Sequence, residues 1–129
     1  MRLTVHHSHE IAPQWLQSLE TLLAASHLTV DQALLLGDWH LATFNERVVG
    51  ISITRHDQLC FIAVRDITRR RGIGCYLVQQ TLNWQREQQQ SPSWIDTMAV
   101  PAEERGGLEA FLAAQGFTHQ AGRWQYQPV

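Results

Sequence analysis

Arg69-Arg70-Arg71-Gly72-Ile73-Gly74 constrains this chain more than any other stretch. The apolar run Leu59-Cys60-Phe61-Ile62-Ala63-Val64 leads into it with strand character, and Cys75-Tyr76-Leu77-Val78 through Trp84 leaves it with helical spacing. Strand, glycine-bearing loop and helix together make a phosphate site: glycines leave backbone N–H groups uncovered, and the helix start adds partial positive charge. The three arginines add permanent charge and forked donors. Two better-known phosphate loops do not fit. A Walker A loop ends in Gly-Lys-Ser/Thr, which is absent, and the dinucleotide fingerprint needs a third glycine where Leu77 stands.

A chain of 129 residues, 44% hydrophobic, is read as one domain, 1–129, with a single core. The formal charge of −2 gives no general attraction to nucleic acid or to an anionic membrane. Arg65, Arg69, Arg70 and Arg71 nevertheless put four of the ten basic residues within seven positions. A basic spot on a slightly acidic protein suits a compact anion, and no aromatic platform for nucleic acid accompanies it. Cys60 and Cys75 have no spacing partner for metal or disulfide and read as small core residues. The chain shows no signal peptide or membrane-length apolar run, so the expected compartment is the cytoplasm.

Periodicity and turn chemistry order the rest. Met1–His7 reads as a short strand whose His6 and His7 point to opposite faces, so that with His9 they make a poor metal site. Glu10–Ala25 reads as a helix with Ile11, Trp15, Leu19 and Leu22 on one side and Pro13 in its first turn. Thr29-Val30-Asp31-Gln32 has the form of a capping box for a short helix ending near Leu36 and Gly37. Trp39–Phe44, Arg47–Thr54 and Gln58–Val64 read as a meander turning at Asn45-Glu46 and His56-Asp57, with the third strand apolar enough to be buried on both faces. A helix over Gly72–Gln89 follows, then a strand over Trp94–Met98, a helix over Glu103–Gln115 stopped by Gly116, and a hairpin of Phe117–Gln120 with Arg123–Tyr126 around Ala121-Gly122.

The β-α-α-β-β-β-α-β-α-β-β order, with Arg69, Gly72 and Gly74 filling an Arg/Gln-x-x-Gly-x-Gly/Ala loop, resembles the GCN5-related N-acetyltransferases (GNATs). That resemblance implies an α/β (α+β) fold: a mixed, mostly antiparallel sheet with helices on both faces. It further implies coenzyme A or acetyl-CoA as cofactor, entering where the fourth and fifth strands splay. Ile62, Ala63 and Val64 would offer backbone groups to pantetheine, and Thr68, Arg69, Arg70, Arg71, Gly72, Ile73, Gly74 and Cys75 would wrap the pyrophosphate. Glu109, Phe111, Gly116 and Phe117 match the family's late helix-to-strand corner.

Acetyl transfer needs a base for the amine and an acid for the departing thiolate. Many GNATs place a tyrosine four residues before the Gly-Phe pair to serve as that acid. Here the position is Leu112, and Arg105 stands where an asparagine often begins the motif. Asp96 and His40 are candidate bases, neither of which stands out, and no catalytic residue is assigned.

A narrower resemblance is carried by Phe44-Asn45-Glu46-Arg47, by Val64-Arg65-Asp66-Ile67-Thr68 with the loop that follows, by Tyr76-Leu77, by Glu104-Arg105-Gly106, and by Gly116-Phe117-Thr118, Gln120, Gly122 and Trp124. These are similar to the PanZ (PanM) proteins, maturation factors of aspartate 1-decarboxylase. The resemblance implies a CoA-bound regulator that docks on the decarboxylase zymogen, PanD, and favours the self-cleavage that makes its pyruvoyl group. Asn45 would then face the partner, while its place in a hairpin gives it an equally good structural reason. Thr43 stands where the family often has a partner-facing arginine, and the first helices and Thr97–Pro101 also depart from the pattern. The competing reading is an ordinary N-acetyltransferase acting on a small amine or peptide N-terminus.

Overall fold

A computed structural model describes residues 4–8, 12–24, 28–45, 47–64, 72–89, 93–96, 102–120 and 123–126. Its elements are β1 (Thr4–Ser8), a 3-10 turn (Pro13–Trp15), α1 (Leu16–Ala24), α2 (Val30–Leu34), β2 (Asp38–Phe44), β3 (Arg47–Arg55), β4 (Gln58–Val64), α3 (Ile73–Glu87), β5 (Trp94–Ile95), α4 (Ala102–Ala114), β6 (Phe117–Gln120) and β7 (Arg123–Tyr126). The order matches the sequence expectation. The first helix differs in detail: Pro13 heads a tight 3-10 turn before the α-helix begins at Leu16, since proline has no N–H to give a helical ladder. The Thr29 capping box is closed in both directions, with Gln32 N to Thr29 Oγ1 at 3.1 Å and Thr29 N to Gln32 Oε1 at 2.9 Å.

Seven strands form one sheet in the order β1-β2-β3-β4-β5-β7-β6, and every neighbour is antiparallel except β4 and β5. Asn45 and His56 take positive φ, 52° and 56°, at the two turns of the meander. Strand alternation divides the core. Trp39, Leu41, Ile51 and Ile53 pack against Leu19, Leu22 and Leu23 of α1. Ala42 and Val49 meet Ile73 and Leu77 of α3 on the opposite face, and Val78 and Leu82 continue that layer to Ile95, Leu112 and Phe117. Leu19, Leu23, Leu41, Ile51 and Ile53 are all 0% exposed, the class of site where truncation to alanine costs about 2–5 kcal/mol.

Three expectations need correction. β4 is not buried on both faces: only Leu59 is fully buried, and Cys60 to Val64 are half-buried. The cause is pairing. β4 runs beside β3 along its length, but among the described residues its one pairing with β5 is Gln58↔Trp94, so no described strand covers the other edge of its later residues. β5 is correspondingly short, Trp94–Ile95, while Thr97 and Met98 lie outside the described residues. Cys75 is exposed and not a core residue, because it points away from the buried Gly74–Leu77 side of α3, and Cys60 is half-buried where the β3–β4 register slips between Ile53 and Thr54.

Candidate functional site

The end of β4 lies against the start of α3, where Val64 Cγ2 stands 3.5 Å from the place of a Cβ on Gly74. Gly72 caps α3 with φ 75° and ψ 10°, a left-handed conformation that L side chains rarely adopt, and a Cβ placed there would meet nothing within 4 Å. The glycine therefore answers a backbone demand and leaves open space above the helix start. The first helical bond runs from Tyr76 N to Gly72 O at 3.0 Å, so the amides of Ile73, Gly74 and Cys75 have no acceptor within the helix. With no side-chain cap, they form the donor cluster and positive dipole end that an anion uses. Gly74 serves packing. A Cβ would stand 3.3 Å from the Phe111 ring and 3.5 Å from Val64 Cγ2, so the missing side chain lets α3 lie close against β4 and α4.

Of the expected ligand residues, Ile62, Ala63 and Val64 are half-buried at the end of β4, paired with β3, and Gly72, Ile73, Gly74 and Cys75 form the start of α3 beside them. Thr68, Arg69, Arg70 and Arg71 lie outside the described residues. The Cys75 thiol is directed to Gln115 Oε1 at 3.3 Å, an oxygen that also accepts from Gln79 Nε2 at 3.2 Å. At this position it is the backbone amide that suits an anion.

Candidate catalytic groups fare differently. Leu112 is 0% exposed in the layer with Val78, Ile95 and Phe117 and is a packing residue. His40 is also 0% exposed, hydrogen-bonded to His7 and Thr54, so it is no base for a bound amine. Asp96 is exposed just past β5. His6 and His7 do point to opposite faces: His6 meets Thr43 Oγ1 at 3.0 Å and the Trp15 ring at 4.6 Å, whereas His7 turns to His40 and Trp84. Among the described residues no three His, Cys, Asp or Glu side chains could hold a metal together, and no helix is long and apolar enough to cross a membrane.

Asn45 stands exposed at the β2–β3 hairpin tip. Glu46 is outside the described residues. Thr43 is 5% exposed and bonded to His6, so this position gives the surface no polar group. Beside the hairpin, a cleft of about 300 Å³ runs between α1 and the start of β3, with Gln14, Gln17, Thr21 and Arg47 in its walls. Val64 pairs with Gly50, three residues from Arg47, which puts the end of β4 roughly 10 Å from the hairpin at strand rise.

Sequence reasoning missed the ties that hold the second half of the sheet. Trp94 donates to Asp57 Oδ1 at 3.2 Å, its backbone N donates to Asp57 O at 3.0 Å, and the Arg123 guanidinium sits 4.4 Å over its ring. Trp124 donates to Glu109 Oε2 at 2.8 Å, which joins β7 to α4. Their only trace in the sequence is an unusual tryptophan content, five in 129 residues, which names no partners.

A mixed seven-stranded sheet whose one parallel pair is β4 and β5, with a glycine-capped helix between them in the chain, is the GNAT fold. The solution structure of the putative N-acetyl transferase YhhK from Escherichia coli, bound to coenzyme A, matches over 99% of this chain and 100% of that one, with TM-score 0.76 and 30% identity. The family profile described as acetyltransferase (GNAT) domain, PanZ, matches residues 2–125, and the chain belongs to this PanZ family. It is 38% identical over 107 residues to the PanD regulatory factor of Salmonella typhimurium, covering 79% of this chain and 78% of that protein. It is 37% identical over 90 residues to the PanD regulatory factor of Escherichia coli K12, covering 67% and 68%.

Proposed function

We propose that this chain is a CoA-dependent regulatory protein that docks on the aspartate 1-decarboxylase zymogen, PanD, and promotes its self-cleavage to the pyruvoyl form. The observation that carries the reading is the kinship to PanD regulatory factors over two thirds or more of the chain. The geometry suits it: CoA or acetyl-CoA would lay its pantetheine along Ile62, Ala63 and Val64, with its pyrophosphate on the amides of Gly72 to Cys75. Arg69, Arg70, Arg71 and Thr68 would close over the phosphates. The ligand supplies charge and bulk at that edge, not bond-making chemistry. Asn45, on the hairpin next to β4, would touch the partner.

Ordinary acetyl transfer is the competing reading. It lacks a proton donor at the expected place, since Leu112 is a buried hydrocarbon, and His40 is sealed from any bound amine. The deciding experiment mixes the purified chain with the decarboxylase zymogen from the same source, with and without acetyl-CoA. Faster zymogen cleavage that depends on both components is expected. Unchanged cleavage at saturating acetyl-CoA rejects the regulatory reading, and amine-dependent release of free thiol from acetyl-CoA would put the transferase in its place.

A further inference from the structure

Much of the layer between the sheet and α3 is polar. His40, Ser52, Thr54, Thr81 and Gln85 are each no more than 1% exposed. Ser52 and Thr81 meet through their hydroxyls at 2.6 Å, and Thr81 also donates to Leu77 O at 2.7 Å. Beside them Thr54 Oγ1 lies 2.8 Å from His40 Nε2, and His40 Nδ1 lies 2.7 Å from His7 Nδ1. Two imidazole nitrogens at that distance share one hydrogen, with one ring donating and the other accepting. The pair joins three elements: His7 on the edge strand β1, His40 on β2, and Trp84 of α3 against both rings, 6.0 Å from His7 and 4.7 Å from His40.

We propose that the His7–His40 pair is a proton-counting latch that holds the edge strand β1 closed and releases it in acid. Its inventory is short. The neutral pair carries two ring hydrogens on four nitrogens. One lies between the Nδ1 atoms; with His7 donating, the other sits on His40 Nε2 and is donated to Thr54. A first added proton goes to the outer nitrogen of His7 and leaves the contact intact as a charge-assisted bond. A second has only His40 Nδ1 to occupy. That removes the acceptor and sets two cations face to face in a site where His40 is 0% exposed.

The charged groups described around the pair pull in both directions. His6, on β1 but the other face, opposes charge on His7, and Glu87 of α3 favours it. Asp38 shares His40's face of β2 two residues away, β3 offers the neutral hydroxyls of Ser52 and Thr54, and Trp84 is uncharged. His7 is itself exposed at the sheet edge, and the partial desolvation of its ring against its neighbours, the largest influence on it, disfavours its charge.

The test is amide hydrogen exchange on the whole chain between pH 8 and 5, corrected for intrinsic rates, reading Thr4–Ser8 against β3. Below about pH 6.5, β1 is expected to lose protection as pH falls, by up to about tenfold per pH unit for each proton taken up on opening. H7Q is expected to keep it, because glutamine donates to His40 but takes up no proton. Protection of β1 that tracks β3 across the range, or an H7Q profile equal to wild type, overturns the latch. If H7Q does not fold, histidine ring ¹⁵N shifts of the wild type decide. One protonated and one bare Nδ1 in a coupled pair support it, and two rings titrating independently overturn it.

Discussion

At the scale of single residues, strain and charge separate at Gly72. Its φ of 75° is open to asparagine at modest cost, and space above it is free. Gly72→Asn should bind CoA within a few-fold of wild type by calorimetry, while Gly72→Asp, which sets a carboxylate against the pyrophosphate, should lose binding altogether. Equal losses would mean that backbone strain, not anion binding, is what the glycine serves. His7 gives a second residue-scale prediction. Burial lowers its pKa, Glu87 opposes that shift, and His6 adds to it. The unfolded chain, at about 6.5, then takes up its proton first as pH falls. The contribution to stability is full above that value and declines as pH drops through it toward the lowered folded value. Urea midpoints at pH 7.5 and 5.5 should differ for wild type and differ less for His7→Gln. A third follows from composition: none of the ten basic residues is lysine. Arginine is not acylated by a thioester under conditions that modify lysine, so long incubation with acetyl-CoA should leave the intact mass free of ε-amine acetylation.

At the scale of elements, the open stretch of β4 is where ligand should register. Its half-buried residues have β3 on one side and, among the described residues, no paired strand on the other beyond Gln58. Amides of Phe61–Val64 should exchange more slowly by a measurable factor when CoA is added, while those of β2 stay unchanged; uniform slowing would point to global stabilisation only. This stretch also shows what the sequence could and could not convey. The element order was legible because strands alternate, Asn45 and His56 mark turns, and Thr29 and Gln32 advertise a helix start. The depth of β4 was not, since an apolar run looks the same beside a covering strand as beside a ligand gap. Gly72 was legible as a helix start with room above it, whereas the packing of Gly74 against Phe111 and Val64 was not. His40 was misleading as a candidate base, because its seal is made by His7, Thr54 and Trp84, which lie 33, 14 and 44 positions away. Cys75 read as core because residues beside it on α3 are buried, yet one step of helical rotation exposes it.

At the scale of the whole molecule, regulation requires that ligand and partner sites feel each other. The end of β4 and the Asn45 hairpin share β3, so a ligand that orders one edge can bias the other. Acetyl-CoA should tighten docking on the zymogen, and the zymogen should tighten acetyl-CoA by the same factor; coupling of ~1–3 kcal/mol corresponds to about 5- to 150-fold. Asn45→Ala should weaken docking and leave CoA affinity of the isolated chain nearly unchanged, as titration calorimetry with each component would reveal. Loss of CoA affinity in that variant would assign Asn45 to the fold or the ligand site.

The one described residue pair that joins β4 to β5, Gln58↔Trp94, bears on the order in which the protein should assemble. Residues 4–87 contain four antiparallel strands, β1 to β4, and three α-helices, of which α1 and α3 cover opposite faces. On a growing polypeptide that half can finish before residues 93–126 emerge. The second half must then find a completed edge and seat Trp94 against Asp57, 37 positions back, with Arg123 closing over the ring. Parallel pairing across that separation is the slow kind, and among the described residues it has one rung, Gln58↔Trp94. Trp94 is therefore the keystone of the fold in kinetic terms: replacing it should delay the last folding phase far more than it disturbs the meander already formed.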